Sequence, residues 1–209
     1  MRFYGFHVLS PEENMRLDEE LFLELEKGAI EPTFRIYEWS ELCVSIGRHQ
    51  EPRDFPIKVV RRPTGGGALL HGWDISFAIV DYKERWGKSF LGIYRNLAKR
   101  FVELFNELSV ELKLVKNKSY NLDQYFCFFF PTFGELKTKE GKKLVSIAMR
   151  EGKRAFLAHG SVYLRFDYDL ASHILGIKKE DLRSRITSLE ELGISKESFV
   201  ELLLSKIIK

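Results

Sequence analysis

Hydrophobic and polar positions change their spacing several times along the chain, and each change marks an element. Ser10-Pro11-Glu12-Glu13 predicts a helix start, with Ser10 as cap, Pro11 at the first helical position and Glu13 closing a capping box. Leu17, Leu21, Phe22 and Leu25 then share one apolar face, and Lys27-Gly28 predicts the end. Alternation at Phe34-Arg35-Ile36-Tyr37 and at Cys43-Val44-Ser45-Ile46 predicts two strands, followed by a loop at Gly47-Arg48-His49-Gln50. Lys58, Val59 and Val60 read as a strand, and residues 75–80 as another. Phe90, Ile93, Tyr94, Leu97, Phe101, Leu104, Phe105 and Leu108 keep a 3.6-residue period, the clearest helix in the chain. Strand signals return between residues 112 and 164. A hairpin of residues 135–138 and 143–150 turns about Glu140-Gly141, with residues 155–164 as the next strand across Glu151-Gly152. From about residue 166 the pattern is helical to the end, with Phe199, Leu202, Leu203 and Ile207 on one face. Helices and strands that do not alternate strictly predict an α+β fold with mixed, largely antiparallel sheets and packed helices. With no repeat and no linker-like stretch, one domain over residues 1–209 is expected.

Composition narrows the classes. Of 209 residues, 44% are hydrophobic and 30% charged, a globular balance, and the formal charge of +3 is too small to argue a nucleic-acid surface. No apolar run approaches the length of a membrane span, and Met1-Arg2-Phe3-Tyr4-Gly5 does not resemble a secretory leader. The two cysteines, Cys43 and Cys127, make neither a disulfide framework nor a zinc signature, so no metal is expected and a cytoplasmic location is the default.

Candidate chemistry centres on Arg61-Arg62-Pro63-Thr64-Gly65-Gly66-Gly67-Ala68-Leu69-Leu70-His71. Three successive glycines cost backbone entropy and pack nothing. They suit a loop whose N–H groups approach a ligand, with Arg61 and Arg62 facing its anionic part. Neither the P-loop nor the Rossmann spacing is present. The alternative is a flexible connection between two strands.

The stretch resembles the RRxTGG or RRxSGGG motif of the lipoate–protein ligase and octanoyltransferase superfamily. Further matches follow in the family's order. Asn14-Met15-Arg16-Leu17-Asp18-Glu19 is similar to NMALDE, and Arg35-Ile36-Tyr37-Glu38-Trp39 to RFYGW. Cys127-Phe128 matches a CF acyl-site segment, Gly141 to Met149 is similar to GxKIxGSAQ, and Leu157 to Leu164 to LxHGSILL. Ser184-Arg185-Ile186-Thr187-Ser188-Leu189 resembles SRVTNL. Three departures stand out: Gly72 follows the motif histidine where ligases have aspartate, Ser146-Ile147-Ala148-Met149 replaces GSAQ, and Gly67 is nearer the ligase form.

The resemblance implies a biotin/lipoyl-ligase catalytic-domain fold and an acyltransferase that attaches octanoyl or lipoyl groups to a lysine of a lipoyl-accepting domain. Lys143 matches the lysine that touches the acyl carbonyl, a role suited to a compact ammonium with three donors. Cys127 matches the nucleophile that accepts octanoyl as a thioester from an acyl-carrier protein, without ATP or metal. As a cysteine in an aromatic run its alternative is inert core, as Cys43 on its alternating strand is expected to be. His71 and His159 could orient substrate, move a proton or be structural. Asp74 is placed to steer the incoming amine. Thr64, Gly65, Gly66 and Gly67, with Ser146, Ala148, Gly160 and Ser161, complete the expected substrate contacts. Arg48, Arg61, Arg62 and the lysines of the 137–143 hairpin would assist docking of acidic partners. The alternative is an ATP-dependent lipoate ligase, with Arg61, Arg62 and Lys143 on the adenylate phosphate and Mg²⁺ assisting. Cys127, and a length short of single-chain ligases with an added C-terminal domain, favour the transferase; a split ligase remains the rival. A non-catalytic acyl-binding module would tolerate loss of Lys143.

Overall fold

The computed structural model describes residues 1–114, 125–129 and 136–208. Glu135, expected to open a strand, lies outside the described residues. The first helix, α1 (Pro11–Lys27), begins and ends where the pattern places it. The Ser10 hydroxyl accepts from the Glu13 amide, the Glu13 carboxylate accepts from the Ser10 amide at 3.0 Å, and Gly28 closes the helix at φ 78°.

Among the described residues, seven strands form one sheet. In spatial order they are β1 (Arg2–Leu9), β2 (Thr33–Trp39), β6 (Asp74–Tyr82), β10 (Ala155–Tyr163), β9 (Lys143–Glu151), β8 (Leu136–Lys137) and β7 (Lys113–Leu114). β1 runs parallel to β2 and the other pairs are antiparallel. A second sheet holds β4 (Lys58–Arg61), β3 (Cys43–Ile46) and β5 (Leu69–His71), with β3 central. The consecutive strands β2 and β3 therefore do not pair; residues 40–42 carry the chain from one sheet to the other. The sequence pattern does not announce β1. Its polar and apolar residues do not separate onto two faces, and as the sheet's edge it leaves Phe3, Tyr4, Phe6 and Val8 between 39% and 57% exposed.

Alternation along the strands assigns each face of the large sheet its own core. Phe34, Ile36, Ile75, Phe77, Ile79 and Val145 turn to α2 (Phe90–Glu107) and α5 (Lys196–Ile207), meeting Leu97, Phe101, Phe105, Phe199 and Leu203. Burying such side chains stabilises the fold by about 1.5–3 kcal/mol each. On the other face α1 packs Met15, Leu21, Phe22 and Leu25 against Tyr37, Trp39, Val80 and Leu157. The second sheet and the short helices α3 (Tyr168–Leu175) and α4 (Lys179–Arg185) enclose a third cluster, rich in aromatics, that includes Phe126, Phe128, Tyr163 and Phe166.

One ion pair lies wholly inside this packing. Asn14 and Asp18 sit on the buried face of α1, one turn apart. Asp18 Oδ1 accepts from Arg35 Nη1 at 2.8 Å and Oδ2 from the Tyr37 hydroxyl at 3.0 Å, and both members of the pair have no solvent exposure. Arg35 also donates to the Asn14 carbonyl and side-chain oxygens.

Removing one partner strands a buried charge, so Arg35→Met is expected to cost about 3–5 kcal/mol. The surface pair Arg16–Glu20, at 3.7 Å, is solvated; Arg16→Ala should cost less than about 1 kcal/mol. Urea unfolding of the two variants at pH 7 measures the contrast, and equal losses would contradict it.

Candidate active site

Strand register builds a floor of small side chains. Tyr37, Ser76, Ser161 and Ser146 stand in line across β2, β6, β10 and β9, and Arg35, Ala78, His159 and Ala148 form the next line. Gly160, between them, admits no side chain: a Cβ there would stand 2.4 Å from the Phe77 ring and 2.5 Å from the Ser146 carbonyl oxygen.

The glycine loop roofs this floor and is held from within by Arg62. Its Nη1 donates to the Ser45 carbonyl and hydroxyl at 2.9 and 2.7 Å, and its Nη2 to the carbonyls of Gly65 and Gly67 at 3.1 and 2.8 Å. Because the peptide unit is planar and trans, carbonyls turned onto Arg62 send the following N–H groups the opposite way. One of these, on Ala68, bonds the Tyr125 carbonyl at 2.9 Å. Gly66 takes φ 97°, and its carbonyl oxygen would lie 2.0 Å from a Cβ on Gly47. The loop thus needs a glycine on each side of that contact.

Residues 125–129 are strapped to the loop by two bonds at one residue. Ala68 donates to Tyr125, and the Cys127 amide donates back to the Ala68 carbonyl at 3.1 Å. This brings Cys127, partly exposed, beside Lys143, whose Nζ donates to the Cys127 carbonyl at 3.2 Å. Lys143 is itself buried, and its carbonyl accepts from Thr187 at 3.2 Å, so the Ser184-to-Leu189 segment backs the site.

Two polar relays hold the walls. In one, the Thr64 hydroxyl meets His159 Nε2 at 2.6 Å and His159 Nδ1 meets Asp18 Oδ2 at 2.9 Å. A carboxylate can only accept, which places the His159 proton on Nδ1. Burial lowers the His159 pKa, outweighing the Asp18 hydrogen bond and charge that raise it. In the other, Ser45 meets His71 Nε2 at 2.7 Å and His71 Nδ1 meets Asp74 Oδ2 at 2.8 Å, while the ring stacks on Trp39 at 4.2 Å. Asp74 also accepts from Gly72 N, Ser76 and Ser161. Burial raises its pKa, but His71 and these donors hold it below the usual value.

The enclosed space is a slot of about 550 Å³, the open part included. It is lined by Arg62, Gly66, Gly67, His71, Cys127, Lys143, Ser146, Ala148, His159, Gly160 and Ser161. The other four expected contacts stand behind the wall. Arg61 is exposed, with Nη1 on the carbonyls of Gly47, Arg48 and Gln50. Thr64 serves His159, Gly65 faces Arg62 with its carbonyl, and Asp74 lies buried under Ser161. Burial and hydrogen bonding bear on three expectations. Both terminal nitrogens of Arg62 and Nη1 of Arg61 hold protein oxygens, Asp74 is enclosed by His71, Ser76 and Ser161, and Arg62 and Lys143 are too buried to dock a protein partner. Arg62 keeps one buried donor, Nε, without a partner. Met15, Tyr37, Trp39, Leu69 and Ile147 line the slot without having been singled out as contacts. The signal for the end formed by Met15, Tyr37 and Trp39 was Asn14 and Asp18, polar residues on a helix face that buries its apolar neighbours. Cys43 is core, as expected, and burial pushes its thiol pKa well up. Among the described residues no group of three or more His, Cys, Asp or Glu is arranged to hold a metal.

Gly47→Ala should displace the glycine loop and destabilise the protein by about 1–3 kcal/mol, as overpacking does. At Gly65 an added Cβ would meet no atom within 4 Å, so alanine there should change stability by less than about 0.5 kcal/mol. Thermal unfolding compares them. His159 carries a pH prediction as well. A histidine held neutral in the folded state stabilises above the unfolded pKa of about 6.5 and loses that contribution as pH falls below it. The unfolding midpoint should therefore drop between pH 7 and 5, and His159→Asn should flatten the drop without abolishing it, since His7 shifts the same way.

Among known proteins, the chain is 29% identical over 196 residues to octanoyltransferase LipM of Carboxydothermus hydrogenoformans, an alignment covering 88% of this chain and 72% of that one. It is 30% identical over 183 residues to octanoyltransferase LipM of Oceanobacillus iheyensis, covering 82% and 67%. Among solved structures, a bi-partite lipoate protein ligase of an archaeal lipoylation system, from Thermoplasma acidophilum, superposes with a TM-score of 0.72. That match covers 97% of this chain and 81% of the other at 18% identity, a likeness of fold. The family profile described as the lipoyl protein ligase A/B catalytic domain matches residues 10–208, and the chain belongs to that family.

Proposed function

We propose that this chain transfers an octanoyl group from an acyl-carrier protein to the ε-amino group of a lysine on a lipoyl-accepting domain, with Cys127 as the intermediate acyl carrier. The observation that carries the reading is the Cys127–Lys143 contact, at 3.2 Å from backbone oxygen to ammonium, beside an apolar slot. The relatives are octanoyltransferases, which supports the acyl group, and the bi-partite ligase of similar fold has an E2 lipoyl domain as its own partner, which supports the acceptor.

In the first half-reaction Cys127 Sγ, as thiolate, attacks the carbonyl of the octanoyl thioester. The carrier's sulfur leaves as thiolate and takes up the proton that Cys127 gave up, and octanoyl remains on Cys127. In the second, the acceptor lysine, as free amine, attacks the new thioester. Cys127 leaves as thiolate, takes up the proton that the amine loses, and an amide forms. Both halves pass through a tetrahedral oxyanion. Lys143 Nζ and the unpartnered Arg62 Nε are the donors suited to it.

ATP-dependent lipoate ligation is the reading this arrangement supports less. Its adenylate phosphate would need Arg62, both of whose terminal nitrogens hold protein oxygens, and Arg61, whose Nη1 holds three carbonyls. No helix among the described residues is long and apolar enough to cross a membrane.

Incubated with octanoyl-carrier protein and no acceptor, the protein should gain one octanoyl mass that hydroxylamine removes. Cys127→Ala should gain none and lose transfer while keeping its unfolding midpoint. Lys143→Ala should slow both half-reactions by about 10²–10³. Full activity in Cys127→Ala that requires ATP and lipoate would replace the thioester route with ligation.

A further inference from the structure

We infer that Met15 sets the length of the acyl chain; the inference rests on the acyl-transfer reading above. The slot runs across strands. At one end are Cys127 and Lys143, where Ser146, Ile147 and Ala148 of β9 are only half-buried. At the other are Met15, Tyr37 and Trp39, exposed by 4%, 1% and 6%. The β9 end is therefore the mouth and the β2 end is blind. Between them the floor is Ser146, Ser161 and Ser76, on three neighbouring strands. Two inter-strand spacings make that floor roughly 10 Å long. An extended octanoyl chain, a zigzag of C–C bonds of about 1.5 Å, measures roughly 9 Å from carbonyl to terminal methyl. The next position along the line is Tyr37, whose ring ends the floor.

The three blind-end side chains are held differently. The Tyr37 hydroxyl is fixed on Asp18 at 3.0 Å, and Trp39 Nε1 on Ser76 at 3.0 Å. These two belong to the polar relays and cannot shorten without breaking them. Met15 projects from α1 into the same apolar cluster and carries no polar group to satisfy. It is unbranched and thioether-tipped, a side chain that fits itself to whatever space the others leave. Its bulk is the adjustable part of the end wall, and the terminal methyl of the acyl chain meets it there.

The test measures kcat/KM for hexanoyl, octanoyl, decanoyl and dodecanoyl groups on acyl-carrier protein, with a lipoyl-accepting domain as acceptor. Each enzyme is scored by ratios between its own substrates, so a variant that folds poorly still reports its selectivity. Wild type should prefer octanoyl over decanoyl by about tenfold or more. Met15→Ala should raise the decanoyl-to-octanoyl ratio by about tenfold, and Met15→Phe should raise hexanoyl over octanoyl in the opposite sense. Met15→Leu, close in volume, should keep the wild-type order. Ratios unchanged within about twofold in both Met15→Ala and Met15→Phe, beside a selective wild type, would overturn the role of Met15 and leave the acyl-transfer reading standing. A wild type that transfers none of the four chains would overturn both.

Discussion

The structure depends on one carboxylate with no access to water. Asp18 meets Arg35 and Tyr37 of β2 and His159 of β10, and His159 passes the connection to Thr64 beside the glycines. An ionised group in such a place is tolerable only when fully bonded, so its three partners must be in position together. The helix, the sheet and the loop that bound the slot are therefore registered by one polar centre rather than by apolar contact, which would allow them to slide. Small residues across the floor leave the space, and the relay fixes its width.

A similar economy governs the cations. Arg62, Arg35 and Lys143 all lie inside the protein, yet they act differently because of what surrounds them. The planar fork of an arginine can hold several carbonyls at once, and Arg62 donates to three carbonyls and one hydroxyl to shape a glycine loop that has no side chains to shape itself. A lysine ends in a compact charge, and Lys143 presents that charge at the Cys127 segment. Positive charge near the slot is divided between architecture and chemistry by side-chain geometry.

Much of this was legible in the sequence, for identifiable reasons. The cap at Ser10, the period of α2 and the β9–β10 hairpin are local signals that tertiary packing did not overturn. The order of short motifs carried the family and brought Cys127, Lys143, the glycines and His159 to one place. What stayed hidden depends on partners distant in sequence. An arginine pair before glycines reads as a ligand clamp until one sees the carbonyls it holds, and Asp74 reads as a free acid until His71, Ser76 and Ser161 surround it. β1 escaped because an edge strand is under little pressure to separate polar from apolar residues.

The sheet order has a consequence for the growing chain. β10 lies between β6 and β9, so one edge of β6 has no neighbour until 72 further residues, 83–154, have been made. β6 contains Ile75-Ser76-Phe77-Ala78-Ile79-Val80, all of it buried in the finished molecule. A nascent chain on the ribosome holds that apolar strand with an open edge for several seconds, at translation rates of about 5–20 residues per second. During that interval its neighbours are other nascent chains and folding helpers. Yield in the cell should therefore be governed by the handling of this unfinished edge rather than by the stability of the completed sheet.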